Sequence, residues 1–321
     1  MRVAAIDLGT VSSRLLTAEV DRGSIVRSAK RTEITDLGQG VDATGLLSDE
    51  AIDRVIGACA SFVDEISAFE PDAVCCTLTS AARDAGNGRV LLSGLEGLGL
   101  RPQVIPGEVE ARLTFYGVAH DFAGERIAVA DSGGGSTEFA QGSFVPGEPL
   151  EVDGVVSLNI GCRRITDRFL AGRPPTGEQI DRAAAWAFER LSSYWRERPG
   201  RPERLVAVGG TVTTLVAMAY ELAVYDPAFV HLHELTADEV DRCIERMRGR
   251  TAAQIAELPG IQPKRAPVML GGALIIRELM RAGGYDSLTV SENSLLVGMV
   301  HTICEVLGGE RPAIGWTPAL S

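Results

Sequence analysis

Residues 127–140, which read IAVADSGGGSTEFA, are the stretch on which the predicted fold depends. The apolar run at residues 127–130 is typical of a buried strand, and it ends at Asp131. The turn that follows is built from small and hydroxyl residues, namely Gly133, Gly134, Gly135, Ser136 and Thr137. Glycines let a backbone turn sharply and approach a ligand, and consecutive N–H groups can then surround a phosphate. The stretch therefore predicts a strand followed by a phosphate-binding loop.

Two carboxylates flank this loop. Asp131 precedes the glycines and Glu138 follows them. Hard oxygen ligands of this kind suit Mg²⁺ or Mn²⁺, so both acids are candidate metal ligands and catalytic groups. The alternative is a glycine-rich hairpin turn with two solvated acids.

A second copy of the pattern opens the chain. An apolar run at residues 3–6 ends at Asp7, and another strand-like run begins at residue 15. The residues between them that match the loop are Gly9, Thr10, Ser12 and Ser13. Two such hairpins facing each other would form a cleft with an acid, here Asp7 as a third candidate metal ligand, and phosphate donors on each wall. This layout resembles the actin-like, ribonuclease H-like nucleotidases, an α/β class whose two halves share one topology. Chance similarity between two Gly/Ser turns is the alternative.

Composition limits the function classes. A chain of 321 residues can form two domains, and its net charge of −12 argues against a nucleic-acid binder. No apolar run approaches the roughly 18 residues of a membrane span, and we expect no signal peptide. Six scattered cysteines predict reduced core thiols in a cytoplasmic protein. Only Lys30 and Lys264 are lysines, so arginine carries the positive charge; phosphate recognition or genome base composition explains this equally well.

Further candidates lie between and after the two loops. A strand at residues 73–78 delivers Arg83 to a sheet edge, although a surface helix charge is the alternative. A helix after Pro106 carries Glu108 and Glu110; Glu108 fits a helix-dipole role, and Glu110 fits a carboxylate facing the loops. The remaining candidate phosphate contacts are implied only by the family resemblance given below, and they are Arg164, Gly210, Thr211 and Arg265.

These residues together resemble the exopolyphosphatases and guanosine pentaphosphate phosphohydrolases, in a short two-domain form. The markers are DLGT at 7–10, TSAARDAGN at 79–87, EARL at 110–113, DSGGGSTE at 131–138, GGT at 209–211 and Arg265. The resemblance implies that Glu110 is the catalytic base and that Asp131 and Glu138 hold Mg²⁺ and the attacking water. It implies inorganic polyphosphate as substrate, or alternatively the stringent-response nucleotide guanosine pentaphosphate, and a homodimer. The expected domains are residues 1–122 with a C-terminal helix at 300–321, and residues 123–299.

The sequence departs from the family pattern at several positions. Val11 replaces a usual Asn, Pro106 a usual Ser and Pro267 a usual acid, and the Leu296-Val297 pair replaces Arg-Glu. A weakly active or non-catalytic polyphosphate sensor therefore stays open as an alternative. A sugar kinase is a third reading, but no stretch of the sequence indicates a sugar pocket.

Overall fold

The structure is a computed structural model that describes residues 1–172, 174–198 and 200–321. Its strands form two sheets. The first contains β1 (Arg2–Leu8), β2 (Ser12–Asp21), β3 (Ser24–Ile34), β4 (Ala73–Leu78) and β5 (Pro102–Val104). The second contains β6 (Arg126–Ser132), β7 (Thr137–Ser143), β8 (Glu151–Leu158), β9 (Arg204–Val208), β10 (His233–Thr236) and β11 (Ser287–Val290).

Several helices begin at a residue whose side chain caps the first turn. Ser48 accepts a hydrogen bond from Ala51 N, as its position in the sequence predicts, and Thr176 and Gln179 form a reciprocal capping box. The α-helices are α1 (Val41–Thr44), α2 (Asp49–Phe69), α3 (Ser80–Asp84), α4 (Gly88–Glu96), α5 (Gly107–Ala119), α6 (Cys162–Phe169), α7 (Gly177–Arg196), α8 (Gly210–Ala219), α9 (Pro227–Val230), α10 (Ala237–Met247), α11 (Ala252–Ala256), α12 (Ala266–Gly283) and α13 (Leu295–Leu307). Short 3-10 helices lie at His120–Phe122 and Pro263–Arg265.

The two sheets repeat one topology. The first has the order β3-β2-β1-β4-β5, and the second has β8-β7-β6-β9-β11 with β10 added at its edge. In each, an antiparallel hairpin leads and the next strands run parallel to its first strand. The loops also match, because Gly9 N donates to Ser12 O and Gly133 N to Ser136 O, both at 3.0 Å. The predicted fold class, α/β with two actin-like halves, is confirmed.

The chain divides into two compact units. The first contains Met1–Ala123, Phe144–Glu151 and Ser294–Ser321; the second contains Gly124–Ser143 and Val152–Asn293. The last helix therefore belongs entirely to the first unit, and it ends at Leu307, so the expected helix at 300–321 is wrong. Close packing explains this membership: a Cβ on Gly298 would lie 1.9 Å from Leu113 O, and one on Gly117 2.3 Å from Ser294 O. Only glycines let α13 approach α5 so closely.

The first sheet is covered on both faces. Along β1, Ala4 and Ile6 pack in the core that includes α2, whereas Val3 and Ala5 pack in the core that includes α5 and α13. Side chains alternate between faces along a strand, so Asp7 lies on the α5 and α13 face. Its neighbour on β4, Thr77, donates to Met299 Sδ of α13 at 3.5 Å, which agrees with that placement.

The second unit has its own core. Ala128 and Ala130 of β6 pack with side chains from α7, α8, α10 and α12. By alternation, Ser132 faces this core and Asp131 lies on the opposite face of the sheet. The alternation of side chains along β6 therefore places the Asp131 carboxylate on the face of the sheet opposite to this apolar core.

Other expectations can be checked against the fold. All six cysteines are buried and free, as predicted, and burial raises the pKa of Cys59 and of Cys75 to about 12. Among the described helices, none combines the length and the apolarity that crossing a bilayer requires.

Two histidines stack in the first unit, where His301 is buried and His120 is half-buried. The rings of His120 and His301 lie 3.9 Å apart and nearly parallel, with Tyr116 and Phe144 packed around them. Burial lowers the pKa of both histidines, to about 3 for His301, where the neighbouring His120 adds to the effect. Tyr116 Oη donates to Glu305 at 2.7 Å, so the cluster joins α5 to α13.

This pair predicts acid lability. The folded-state pKa of His301 lies below its ordinary 6.5, so the stabilisation is complete above pH 6.5 and is lost as the pH falls toward 3. At pH 5 we expect about 2 kcal/mol less free energy of unfolding from this residue. Urea unfolding at pH 7.5 and pH 5 measures the difference. His301→Phe, which keeps the stacking, should reduce the pH dependence; an unchanged dependence would contradict the assignment.

Candidate active site

The glycine loop of the second unit is held by α6. Three consecutive carbonyls accept hydrogen bonds: Gly133 O from Cys162 N at 3.0 Å, Gly134 O from Arg163 N at 2.8 Å, and Gly135 O from Arg164 Nε at 2.8 Å. The first turn of α6 thereby satisfies donors that a helix cannot satisfy internally. The helix can come this close because residue 161 is glycine, as a Cβ there would lie 2.3 Å from Gly134 O.

The orientation of these carbonyls fixes the direction of the loop N–H groups. In a planar trans peptide, the C=O and the N–H point in opposite directions. Since three successive carbonyls point toward α6 and Arg164, the N–H groups of Gly134, Gly135 and Ser136 point away from them. Successive N–H groups directed to one side form a concavity that binds anions.

The first loop repeats this arrangement without a glycine run. The carbonyl of Thr10 accepts from Gly38 N at 2.8 Å, and that of Val11 accepts from Asp36 N at 2.9 Å. The N–H groups of Val11 and Ser12 therefore point away from the segment that follows β3. Both units present backbone donors at the end of their first strand.

The acids of the two hairpins have different cross-strand partners. In the second hairpin Asp131 lies opposite Glu138, and both carboxylates are buried. Glu138 Oε1 also accepts from Ser157 Oγ at 2.6 Å. In the first hairpin Asp7 lies opposite Arg14, whose Nε donates to Asp7 Oδ2 at 2.9 Å. Like charges directly opposite are destabilising, so the second hairpin is the one that a cation would stabilise.

The residues fit a magnesium ion that keeps most of its ligands from water and phosphate. No group of three or more His, Cys, Asp or Glu side chains in the described ranges is placed to hold a metal by itself. Mg²⁺ is commonly held by one or two carboxylates together with substrate phosphates, which the Asp131–Glu138 pair can supply. In the first unit Asp7 Oδ1 is buried without a hydrogen-bond partner among the described residues, and such an oxygen also suits a cation.

A second glycine stretch lies against the Asp131 loop. Gly209 has a φ of 104°, and a Cβ there would lie 3.1 Å from Asp131 Oδ1. Arg265 covers Gly210, since a Cβ on Gly210 would lie 2.0 Å from its Nη1. Within the second unit the structure thus brings Asp131, the glycine loop, Arg164, Gly210 and Arg265 together.

Glu110 and Arg83 form an ion pair in the first unit. Glu110 is buried in the first turn of α5, and its Oε2 accepts from Arg83 Nη1 at 3.1 Å. The same nitrogen donates to Ile105 O at 2.8 Å, which holds the guanidinium in place. The structure therefore makes Arg83 a positioning residue for Glu110 in addition to a candidate phosphate ligand.

The comparisons agree on one family. A model of the Ppx/GppA phosphatase family matches residues 16–305. Exopolyphosphatase 2 of Mycobacterium tuberculosis is 38% identical over 319 residues, covering 94% of this chain and 98% of that protein. The solved structure of an exopolyphosphatase-like protein superposes with a TM-score of 0.88 at 35% identity, covering 95% of this chain and 98% of that one. The Ppx/GppA family member of Aquifex aeolicus gives 0.78 at 31% identity, covering 96% and 98%.

The chain belongs to the Ppx/GppA phosphatase family. The family resemblance that the sequence carried is thereby confirmed.

In this Ppx/GppA chain, three hydroxyls that the sequence assigned to phosphate binding face the interior. Ser13 Oγ lies 2.9 Å from Thr35 Oγ1, and Thr137 Oγ1 donates to Ile160 O at 2.7 Å. Thr211 is buried with its hydroxyl directed at Gly272 of α12. Ser13 and Thr137 occupy the same register position, where β2 and β7 turn toward their cores. The role of these hydroxyls in phosphate binding stays a prediction, and the structure gives those of Ser13 and Thr137 partners inside the protein.

The departures from the family pattern have structural roles. Val11 is buried, so its side chain serves packing, while its N–H stays available to the loop. Pro106 is the N-cap of α5 and Pro267 lies in the first turn of α12, where a missing N–H costs nothing. Leu296 lies in the core that includes α5 and α13, and Val297 packs against that same core.

Two supporting residues, Arg14 and Ser157, were not among the predicted site residues. Arg14 fixes Asp7, and Ser157 fixes Glu138. A signal for Arg14 was available, because it occupies in the first hairpin the position that Glu138 occupies in the second. No comparable signal pointed to Ser157, which arrives from a separate strand.

Gly161→Ala tests the contact between α6 and the loop. The added Cβ would meet the backbone of Gly134 and Gly135 within 2.5 Å, so the loop must move. We expect a loss of about 1–3 kcal/mol in the free energy of unfolding and weaker substrate binding. Chemical denaturation and KM measure the two effects. Gly177→Ala is the control, because nothing lies within 4 Å of its Cβ; equal behaviour of the two variants would contradict the close contact.

Proposed function

We propose that this protein is an exopolyphosphatase, which hydrolyses the terminal phosphoanhydride of inorganic polyphosphate and releases orthophosphate. The observation that supports the proposal most strongly is the glycine loop. Its N–H groups point to one side, and the carboxylates of Asp131 and Glu138 lie opposite one another on the two strands that the loop connects. A row of N–H donors beside paired acids suits a metal-bound phosphate chain better than a neutral substrate. Relatives named exopolyphosphatase support the same conclusion.

The proposed mechanism gives each residue one task. The N–H groups of the glycine loop, with Arg164 and Arg265, hold the terminal phosphoryl group and its neighbour. Glu110, oriented by Arg83, accepts a proton from the attacking water. When bound at Asp131 and Glu138, Mg²⁺ or Mn²⁺ supplies charge neutralisation to the phosphate oxygens. Positioning and electrostatic stabilisation account for most of the catalysis in phosphoryl transfer.

One assay tests the function. Purified protein with Mg²⁺ is offered triphosphate, long-chain polyphosphate, guanosine pentaphosphate and ATP, and orthophosphate is measured. We expect release from polyphosphate without any carbon acceptor. Tight polyphosphate binding without orthophosphate release would indicate a sensor, and ATP turnover that needs a sugar would indicate a kinase.

Guanosine pentaphosphate is a second candidate substrate because a half-exposed tyrosine, Tyr225, lies near enough to Arg265 for the two to interact electrostatically. Tyr225 Oη donates to Glu292, and Thr213 and Arg265 are close enough to affect its ionisation. Burial and Glu292 nevertheless raise the pKa of Tyr225, so its ring is neutral and able to stack on a base.

Tyr225→Ala separates the two substrates. Loss of base stacking, worth about 1–3 kcal/mol, should raise KM for guanosine pentaphosphate roughly 10-fold and leave KM for polyphosphate unchanged. Tyr220→Ala is the matched control, since Tyr220 is equally exposed and donates to Glu239 at 3.0 Å. If Tyr225→Ala changes neither KM, the tyrosine does not contact a nucleoside.

Two further predictions concern the oligomeric state of the protein and its location in the cell. A homodimer and a cytoplasmic location stay predictions from the sequence. Sedimentation of the purified protein tests the first, and fractionation of the source cells tests the second.

A further inference from the structure

An arginine-rich patch lies on the second unit, near the glycine loop. The patch consists of Arg168 on α6 and of Arg182, Trp186 and Arg190 on α7, and we call it the Trp186 patch. The guanidinium carbon of Arg190 lies 4.2 Å from the centroid of the Trp186 ring, and that of Arg168 lies 5.6 Å away. Residues four apart share one helical face, so Arg182, Trp186 and Arg190 form one stripe along α7.

The charge of the patch is unusual for this chain. The net charge is −12, yet two guanidiniums, those of Arg168 and Arg190, lie over one tryptophan ring, and Arg182 lies on the same face of α7. Within the described ranges, neither Arg182 nor Arg190 forms an ion pair. Their positive charges would attract a polyanion.

The patch is continuous with the loop. Arg164, which donates to Gly135 O, lies one helical turn before Arg168 on α6. One helical turn along α6 and the spacing between the neighbouring helices α6 and α7 together place Arg182 and Arg190 on the order of 15 Å from the loop. A short phosphate substrate held at the loop cannot span that distance, whereas a long chain can.

We infer that the Trp186 patch binds the non-reacting length of a polyphosphate chain whose end is held at the glycine loop. This inference rests on the proposed function and adds a preference for long chains. Stacking on Trp186 orients the guanidiniums and leaves their N–H edges available to phosphate oxygens. Successive phosphates of a long chain can contact successive arginines of the patch. A compact anion is too short to contact more than one or two of them.

The double variant Arg168→Gln/Arg190→Gln tests the inference, with triphosphate and long-chain polyphosphate as substrates. We expect KM for the long chain to rise about 10-fold, because two exposed charge contacts are lost, while KM for triphosphate stays unchanged. Arg168→Lys/Arg190→Lys keeps the charge and should recover much of the long-chain affinity. Arg198→Gln is the control, since Arg198 stacks on Tyr194 at 4.6 Å near the end of the same helix.

Each other outcome overturns the inference. An unchanged KM for the long chain shows that the patch does not bind it, while the proposed function stands. An equal rise for both substrates shows that the arginines serve the fold or the reacting phosphate. If a single-stranded oligonucleotide binds through the same arginines as tightly as polyphosphate, the patch is a nucleic-acid site.

A failure of the proposed function is distinguishable. If the wild-type protein hydrolyses neither substrate, fluorescence polarisation with labelled long-chain polyphosphate still compares it with the double variant. An approximately 10-fold loss of affinity supports the patch as a polyphosphate site without hydrolysis. Equal affinity overturns it.

Discussion

Glu110→Gln is expected to lower kcat at least about 10²-fold and to leave KM nearly unchanged, because a positioned general base contributes about that much. Glu110 is buried in the first turn of α5, and the Arg83 guanidinium holds its carboxylate at 3.1 Å. Glutamine keeps the size and an acceptor oxygen for Arg83, yet it cannot take a proton from water. Steady-state kinetics on polyphosphate measures both constants.

Glu108→Gln is the matched control for this experiment. Glu108 lies in the same helical turn but is exposed, where an acid mainly complements the helix dipole. We expect it to retain nearly full activity. If Glu110→Gln keeps most of kcat, or if Glu108→Gln is the damaging change, the base lies elsewhere and Glu138 becomes the next candidate.

Asp131→Asn is expected to weaken Mg²⁺ binding and to lower turnover at least about 10²-fold, with the fold intact. The physical reason is the pairing of Asp131 with Glu138 on adjacent strands, where two buried acids face one another. Removing one charge takes away a proposed metal ligand and also relieves the repulsion between the two carboxylates. The free energy of unfolding without metal should therefore not fall. Calorimetric titration with Mg²⁺ and chemical denaturation measure the two quantities.

Asp153→Asn controls for the general effect of removing an acid from the second unit. Asp153 is an exposed residue that pairs with Arg126 at 2.8 Å, and its loss should leave Mg²⁺ affinity unchanged. Wild-type Mg²⁺ affinity in Asp131→Asn would exclude a metal role for Asp131. A loss of stability in that variant would mean that its carboxylate serves the fold.

The hairpins and their loops were predictable because their signals are local. A short apolar run, an acid, a glycine or hydroxyl turn and a second run specify a strand, a turn and a strand within about a dozen residues. The repetition of that pattern predicted two halves of one topology, and the sheets bear this out. The approach of Arg265 to Gly210 spans many residues, and only the family resemblance indicated it.

The face of the sheet on which each hydroxyl lies was not predictable from the sequence, because the pairing register of the strands decides it. A shift of one residue along a strand moves a side chain to the other face. Ser13 and Thr137 look like phosphate donors in the sequence, but pairing with Leu8 and Ser132 turns them toward the cores.

The sequence by itself determined the fold class, the two loops and the acids beside them, because backbone turns and strand periodicity depend on neighbouring residues. Tertiary structure alone decided which partner each charge has. Arg14 forms an ion pair with Asp7, whereas an acid, Glu138, lies opposite Asp131, although the two hairpins look alike in the sequence. Arg83 reaches Glu110 only because α3 and α5 meet at one edge of the first sheet. Such partners are far apart in the chain, and close packing of strands and helices is what brings them within hydrogen-bond distance.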